Sequence, residues 1–308
     1  LAAYINLNRL EEAQTTAKAA TAKNFDSPGL HVMLYRLAYL QTDTTEMAQQ
    51  VVWSAGKPGS EDMLLALEAS TVACSGQLNK AREFSHRAVA SALRAEAKET
   101  AASYEADAAV REALFGNAAE ARQRAAAALA LSTGRYAQYG AALALALAGD
   151  TARAQALADD LGKRFPASTA VLFRYLPTIE AQLALDRNNN SKAIEALQTT
   201  APYELGTLGS VDLSSALYPI YLRGIVYLTA HKGSEAAAEF QKILDHRGVV
   251  LNQPTGALAH LGLGRAYAMT GDSAKARTAY QDFLALWKDA DSDIPILKEA
   301  RAEYEKLK

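Results

Sequence analysis

The chain has 308 residues, half of them hydrophobic with alanine the chief contributor, and a formal net charge of −2 with a pI near 6.3. So small a charge sets up no long-range field to draw in nucleic acid, whose binding rests largely on phosphate neutralisation. A single cysteine, Cys74, excludes an intrachain disulfide and a cysteine-based metal site, and permits a reducing compartment without requiring one.

Alanines recur about five residues past a turn, at Ala13, Ala48, Ala81, Ala121, Ala154, Ala193, Ala236 and Ala276, with spacings of 35, 33, 40, 33, 39, 43 and 40. A period near 34 residues with insertions is the signature of a helical solenoid, in which each repeat buries its apolar face against its neighbours. One elongated all-α domain over residues 1–308 is therefore expected.

In chain order, Leu1 opens inside a helical pattern, without an initiator Met or the basic and apolar regions of a signal peptide, so the chain reads as a fragment. Tyr4, Asn8 and Ala13 mark the first unit, and Tyr39, Asp43 and Ala48 the second. Leu30, Met33 and Leu37 add an apolar stripe there, readable as a partner contact or as an end laid bare by excision; an unburied face at Leu1 would favour self-association. The third unit holds Ala69, Val72, Gly76 and Ala81, and the fourth Ala109, Gly116, Ala121 and Ala125.

The fifth holds Ala142, Leu145, Gly149, Ala154, Ala158, Leu161 and Pro166. It contains the longest apolar run, Ala141 to Ala148, far short of the roughly 18 residues that span a bilayer, so no membrane insertion by this segment is expected. Ala193 centres the sixth unit, and Gly224, Tyr227, Ala236, Phe240 and Ile243 the seventh. Two stretches exceed the repeat, Thr199 to Ser215 and Asp245 to Gly256. Their Gly, Pro, Ser and Thr content predicts loops that either bind a partner or let the superhelix change pitch. His246 and Arg247 are expected to complement carbonyls at a helix C-terminus.

The eighth unit is the clearest, with Leu263, Gly264, Tyr267, Gly271, Ala276, Tyr280 and Phe283. Each unit carries its own turn: Asn6-Leu7-Asn8, Thr42-Asp43-Thr44, Ser75-Gly76-Gln77, Phe115-Gly116-Asn117, Ala148-Gly149-Asp150, Arg187-Asn188-Asn189, His231-Lys232-Gly233 and Thr270-Gly271-Asp272. Beyond Trp287, the acidic turn Asp289, Asp291 and Asp293 leads into a capping helix over about 295–308, with Ile296, Leu297 and Tyr304 facing inward and Glu299, Arg301, Glu303, Glu305, Lys306 and Lys308 outward. The alternating aspartates resemble the opening of a calcium loop, but Ile294 and Ala300 stand where that loop needs Gly and Glu. A capping role is the better account, and no metal is expected.

The alternation of small and large residues in the eighth unit resembles a tetratricopeptide repeat, and the likeness extends over nearly the whole chain. It implies a right-handed superhelical solenoid of about eight helix pairs plus the C-terminal capping helix. It further implies that the first helix of each pair lines a concave groove that takes a protein or peptide. The positions that read partners in that family fall here on Tyr136, Tyr139, Tyr175, Gln182, Tyr218, Tyr221 and Arg265. Tyrosine suits recognition, offering apolar area and a hydroxyl at low entropy cost, and it suits packing between helices equally well.

From Ala193 onward, Ala201-Pro202-Tyr203-Glu204-Leu205-Gly206, Leu217-Tyr218-Pro219, the run Phe240 to Gly248 and Tyr280-Gln281-Asp282-Phe283-Leu284 resemble the C-terminal repeat region of bacterial eukaryotic-type serine/threonine protein kinases. That resemblance implies a sensor or docking module whose catalytic domain lies elsewhere. No glycine-rich nucleotide loop, Val-Ala-Ile-Lys strand, His-Arg-Asp loop or Asp-Phe-Gly occurs here, Asp282-Phe283 being followed by Leu284. Similar tails follow winged-helix transcriptional regulators, and a free-standing envelope scaffold is a third alternative. Placement follows the parent: extracytoplasmic if a membrane segment precedes the repeats, cytoplasmic otherwise. Among His31, His86, His231, His246 and His260 no pair has metal-ligand spacing, and neither a Gly-x-Ser-x-Gly elbow nor a phosphate loop is present. No catalytic residue and no cofactor are expected.

Overall fold

The computed structural model describes residues 1–206 and 216–307, and among them every regular element is helical. Eight antiparallel pairs follow in chain order. They are α1 (Ala2–Asn6) with α2 (Leu10–Ala22), α3 (Pro28–Leu40) with α4 (Thr44–Ser54), α5 (Glu61–Cys74) with α6 (Leu78–Arg94), and α7 (Lys98–Leu114) with α8 (Ala118–Leu131). Next come α9 (Arg135–Leu147) with α10 (Thr151–Arg164), α11 (Leu176–Asp186) with α12 (Asn190–Gln198), α13 (Tyr218–Thr229) with α14 (Gly233–Asp245), and α16 (Pro254–Met269) with α17 (Ser273–Leu286). A short α15 (Arg247–Val250) is inserted before the last pair, and α18 (Pro295–Glu305) caps the array.

The turns explain the pairing. Each of the eight predicted turns contains one residue with positive φ, between 54° and 91°: Asn8, Thr42, Gly76, Gly116, Gly149, Asn188, His231 and Gly271. The following residue's N–H always returns to the carbonyl five positions back, as in Gln77 to Val72 and Asp272 to Tyr267, at 2.8 to 3.0 Å. This is a Schellman closure of the first helix. In four units the same residue then opens the second helix: the carboxylates of Asp43, Asp150 and Asp272 and the amide oxygen of Asn189 each accept a backbone N–H of the next turn.

Five positions past the left-handed residue, a side chain wedges between the paired helices. Seven of the eight predicted alanines fill that slot and are fully buried. The second unit differs by one register: Ala48 is exposed, and the slot belongs to Met47.

Ordinary repeat arrays make contacts only between neighbouring units. Here the last units return to the first. The stretch Asp245–Gly256, expected as a loop, instead contains α15, which packs against α1 with Gly248, Val249 and Val250 buried. Asn252 follows and donates from Nδ2 to the Leu67 carbonyl at 3.0 Å and to Thr71 Oγ1 at 2.9 Å. Helix α16 lies on α5. The fully buried Trp287 donates its indole N–H to the Cys74 carbonyl at 3.0 Å and meets the Phe115 ring edge-on at 4.9 Å.

The acidic turn does cap a helix, but a distant one. The Asp291 carboxylate takes the Asn79 N–H at the start of α6, whereas Ile294 at the start of α18 supplies no side-chain cap. Ile296 and Leu297 are buried as expected, with Tyr304 half-buried. The other long connection is described only to Gly206, and its predicted remainder, together with Lys308, lies outside the described residues.

Candidate functional site

The inner helices α9, α11, α13 and α16 carry the predicted row. Tyr136 sits in the first turn of α9 and is half-buried, and Tyr139 follows one turn later. Tyr175 ends a π-helical turn, Val171–Tyr175, that opens α11. Pro177, just beyond it, has no N–H to give the Phe173 carbonyl, so the regular ladder is interrupted there. The turn brings Tyr175 flat against Tyr139, with centroids 4.0 Å apart and planes 7° from parallel, while Tyr136 meets it edge-on at 6.4 Å.

The row continues to Tyr218, whose hydroxyl pKa is pushed up by burial and then by the Asp107 and Tyr139 charges. Tyr221 packs edge-on against Phe240 at 5.9 Å, and burial pushes its pKa up to about 12. Arg265 is near enough to offset that rise, but its own guanidinium is held by Glu303 through two hydrogen bonds of 2.9 Å, with Glu299 at 3.4 Å. Gln182 stays apart, donating to Asp186 on its own helix at 2.8 Å.

The row therefore assembles, but it is mostly interior. Tyr139, Tyr175, Tyr218 and Tyr221 are 3%, 2%, 4% and 6% exposed, and Gln182 is buried as well. Tyr136 and Arg265 keep partial exposure. In the second unit's stripe, Leu30 and Leu37 are buried and Met33 is half-buried against α1 and α2.

Other polar groups are taken up by the scaffold. His246 Nδ1 bonds the Lys242 carbonyl at 2.7 Å, while Arg247 reaches across to the Leu40 carbonyl of α3 at 3.5 Å. Glu204 is fully buried between Arg223, 3.0 Å away, and Lys242. Burial raises the Cys74 thiol pKa, with the Tyr39 hydroxyl at 3.5 Å, so the thiolate nucleophile is disfavoured. A cleft of about 410 Å³ is walled by Tyr39, Cys74, Arg247, Leu251, His260 and Leu286. The His260 pKa is lowered by burial, against the pull of Asp282 at 3.9 Å.

Two features escaped the sequence reading. Leu172, Phe173 and Tyr203 are each 38% to 39% exposed, and the two rings stack at 4.9 Å. Arg36 is buried in the middle of α3, where its presence among apolar and aromatic residues was the available signal.

No protein-family model matches this sequence, and no curated protein matches it. Among solved structures, a tetratricopeptide repeat protein from Parabacteroides merdae aligns over 96% of this chain and 98% of its own, at 12% identity and a TM-score of 0.48. Yeast Tom70 aligns over 97% of this chain and 58% of its own, at 13% identity and a TM-score of 0.46. The P58(IPK) TPR domain covers 99% of this chain and 94% of its own, at 11% identity and a TM-score of 0.31. Those likenesses are distant, and the assignment as an all-helical solenoid of tetratricopeptide-like pairs rests on the eight turns and pairs themselves.

Proposed function

We propose that this chain is a noncatalytic protein-binding module. The observation that carries the reading is the ring pair of unit six: Phe173 and Tyr203 stack on each other at the surface beside Leu172. Contiguous exposed apolar and aromatic area marks interaction surfaces, and tyrosine adds a hydroxyl that tolerates water or a partner acceptor. In the inner groove a partner would meet Tyr136 and Arg265, with Tyr139, Tyr175, Tyr218 and Tyr221 as the wall behind them and Gln182 on the flanking turn.

The finer reading is the C-terminal repeat region of a bacterial signalling serine/threonine protein kinase. Its support is the four sequence segments noted above, of which two meet in space where Glu204 pairs with Lys242. Two experiments bear on these readings. Partner capture by the wild type should be lost in Phe173→Ser with Tyr203→Ser if the outer pair binds, or in Tyr136→Ala if the groove does, with each variant still folded by its melting transition. Capture unaffected by either set would defeat the docking reading. The reading frame upstream of Leu1 tests the kinase parent, whose glycine-rich loop and catalytic aspartate must appear there.

A further inference from the structure

Five arginines among the described residues are nine-tenths or more buried. Arg124 is paired with Glu105 at 3.1 Å and Glu120 at 3.0 Å, and Arg223 with Glu204 at 3.0 Å and Glu239 at 2.8 Å. Arg174 donates to the Gly206 carbonyl at 2.8 Å, and Arg111 donates to Ser85 Oγ at 2.6 Å beside the charges of Glu112 and Asp107.

Arg36 is the exception. It is 9% exposed, and although the Nε atoms of Arg111 and Arg124 are also buried without a hydrogen-bond acceptor, only at Arg36, among the described residues, does no hydrogen bond or ion pair reach any part of the guanidinium. Its own helix cannot help, since the residues three and four positions away are Val32, Met33, Tyr39 and Leu40. Burial draws its pKa down to about 10, and the Tyr136 charge offsets that only in part. A buried cation left without a counter-charge costs several kcal/mol as a rule. A guanidinium remains charged at neutral pH even so, and its planar fork matches the two oxygens of a carboxylate or phosphate.

We propose that Arg36 is the anchor of an anion site beside α3 that takes one small oxyanion, a carboxylate or a phosphate. The degree of burial selects the size of ligand: a group 9% exposed is reached by a small molecule and not by the face of a folded partner. The site is independent of the docking reading, and either can fail alone.

The test is thermal melting of the full chain at fixed ionic strength, titrated separately with acetate and with inorganic phosphate, for the wild type and for Arg36→Met. The wild-type midpoint should rise saturably with at least one of the two anions. The variant should respond at least about tenfold more weakly, and should melt no lower than the wild type without added anion, because an unpaired charge has been removed. Saturation by acetate assigns a carboxylate ligand and saturation by phosphate a phosphoryl one. Equal response of both proteins, or no saturable response of the wild type, would overturn the site. Should Arg36→Met not fold, Arg36→Lys keeps the charge without the fork and should show the same loss. The Arg36 Nε–Hε resonance of the wild type should then shift with the midpoint seen in melting; a resonance that stays still overturns the proposal.

Discussion

The Asp291 carboxylate accepts the Asn79 backbone N–H at 2.7 Å, capping α6 from 212 positions further along the chain. The Asp291 N–H in turn donates to the Gly76 carbonyl at 3.1 Å, and the Ile296 N–H donates to the Phe115 carbonyl at 3.3 Å. Units three and four thus depend on the cap as well as on each other. Asp291→Ala should cost about 1 kcal/mol, the usual worth of an N-cap, and should speed hydrogen exchange at the start of α6. Exchange speeded only in the Trp287–Ile294 turn would show that the cap contributes nothing across the closure.

The stacked pair Tyr139 and Tyr175 bears on packing before it bears on binding. Either residue changed to Ala should lower stability by about 3–5 kcal/mol, the range for deleting a large buried aromatic. Tyr136→Ala, at the half-buried end of the row, should cost less than about half as much by the same scale. Denaturant midpoints at unchanged slope measure both, and near-wild-type stability for the Tyr139 and Tyr175 variants would mean that the interior tolerates their loss.

Gly248 lies where α15 crosses α1. A Cβ placed there would sit 1.9 Å from the Ile5 carbonyl oxygen, backbone that has nowhere to yield. Gly248→Ala should cost about 1–3 kcal/mol, as overpacking does, and release α1 to fast exchange. Gly149→Ala is the control: open space surrounds it, but its φ of +76° charges an alanine about 1–2 kcal/mol without disturbing α1.

His260 supplies a pH dependence of known sign. Its folded-state pKa lies below the ordinary value of 6.5 because burial disfavours the cation, Asp282 opposing in part. The unfolded chain therefore binds the proton first, and stability falls as the pH drops from about 6.5 through the lowered value. His260→Gln should flatten that part of the stability curve between about pH 5 and 7. An unchanged slope would show that His260 protonation is not the source of the acid sensitivity, since Glu180 and Asp186, whose pKa values burial raises, act in the opposite sense and favour the folded state as the pH falls.

The cluster around Glu204 shows where sequence reading stopped. Pro202, Gly206 and the neighbouring threonines signalled a loop correctly, for Thr199 to Gly206 is outside any helix. Nothing local showed that Glu204 would be fully buried between Arg223 and Lys242, 19 and 38 positions away. The Ala48 register failed for a related reason. Alanine marks the slot well only where it is scarce, and in a chain so rich in alanine a neighbour one position off carries the same signal.

The sequence by itself determined the eight helix pairs, their turns and the capping helix, because a left-handed residue, a Schellman closure and an N-cap are settled within about six neighbouring residues. The tertiary structure alone decided that the array returns on itself. That outcome depends on small rotations summed over eight units, and the contacts that record it join Trp287 to Cys74, Gly248 to Ile5 and Asn252 to Thr71. It also decided that most of the tyrosine row is interior and that Arg36 is left unpaired, since burial and the presence of a counter-charge are properties of what comes to lie opposite.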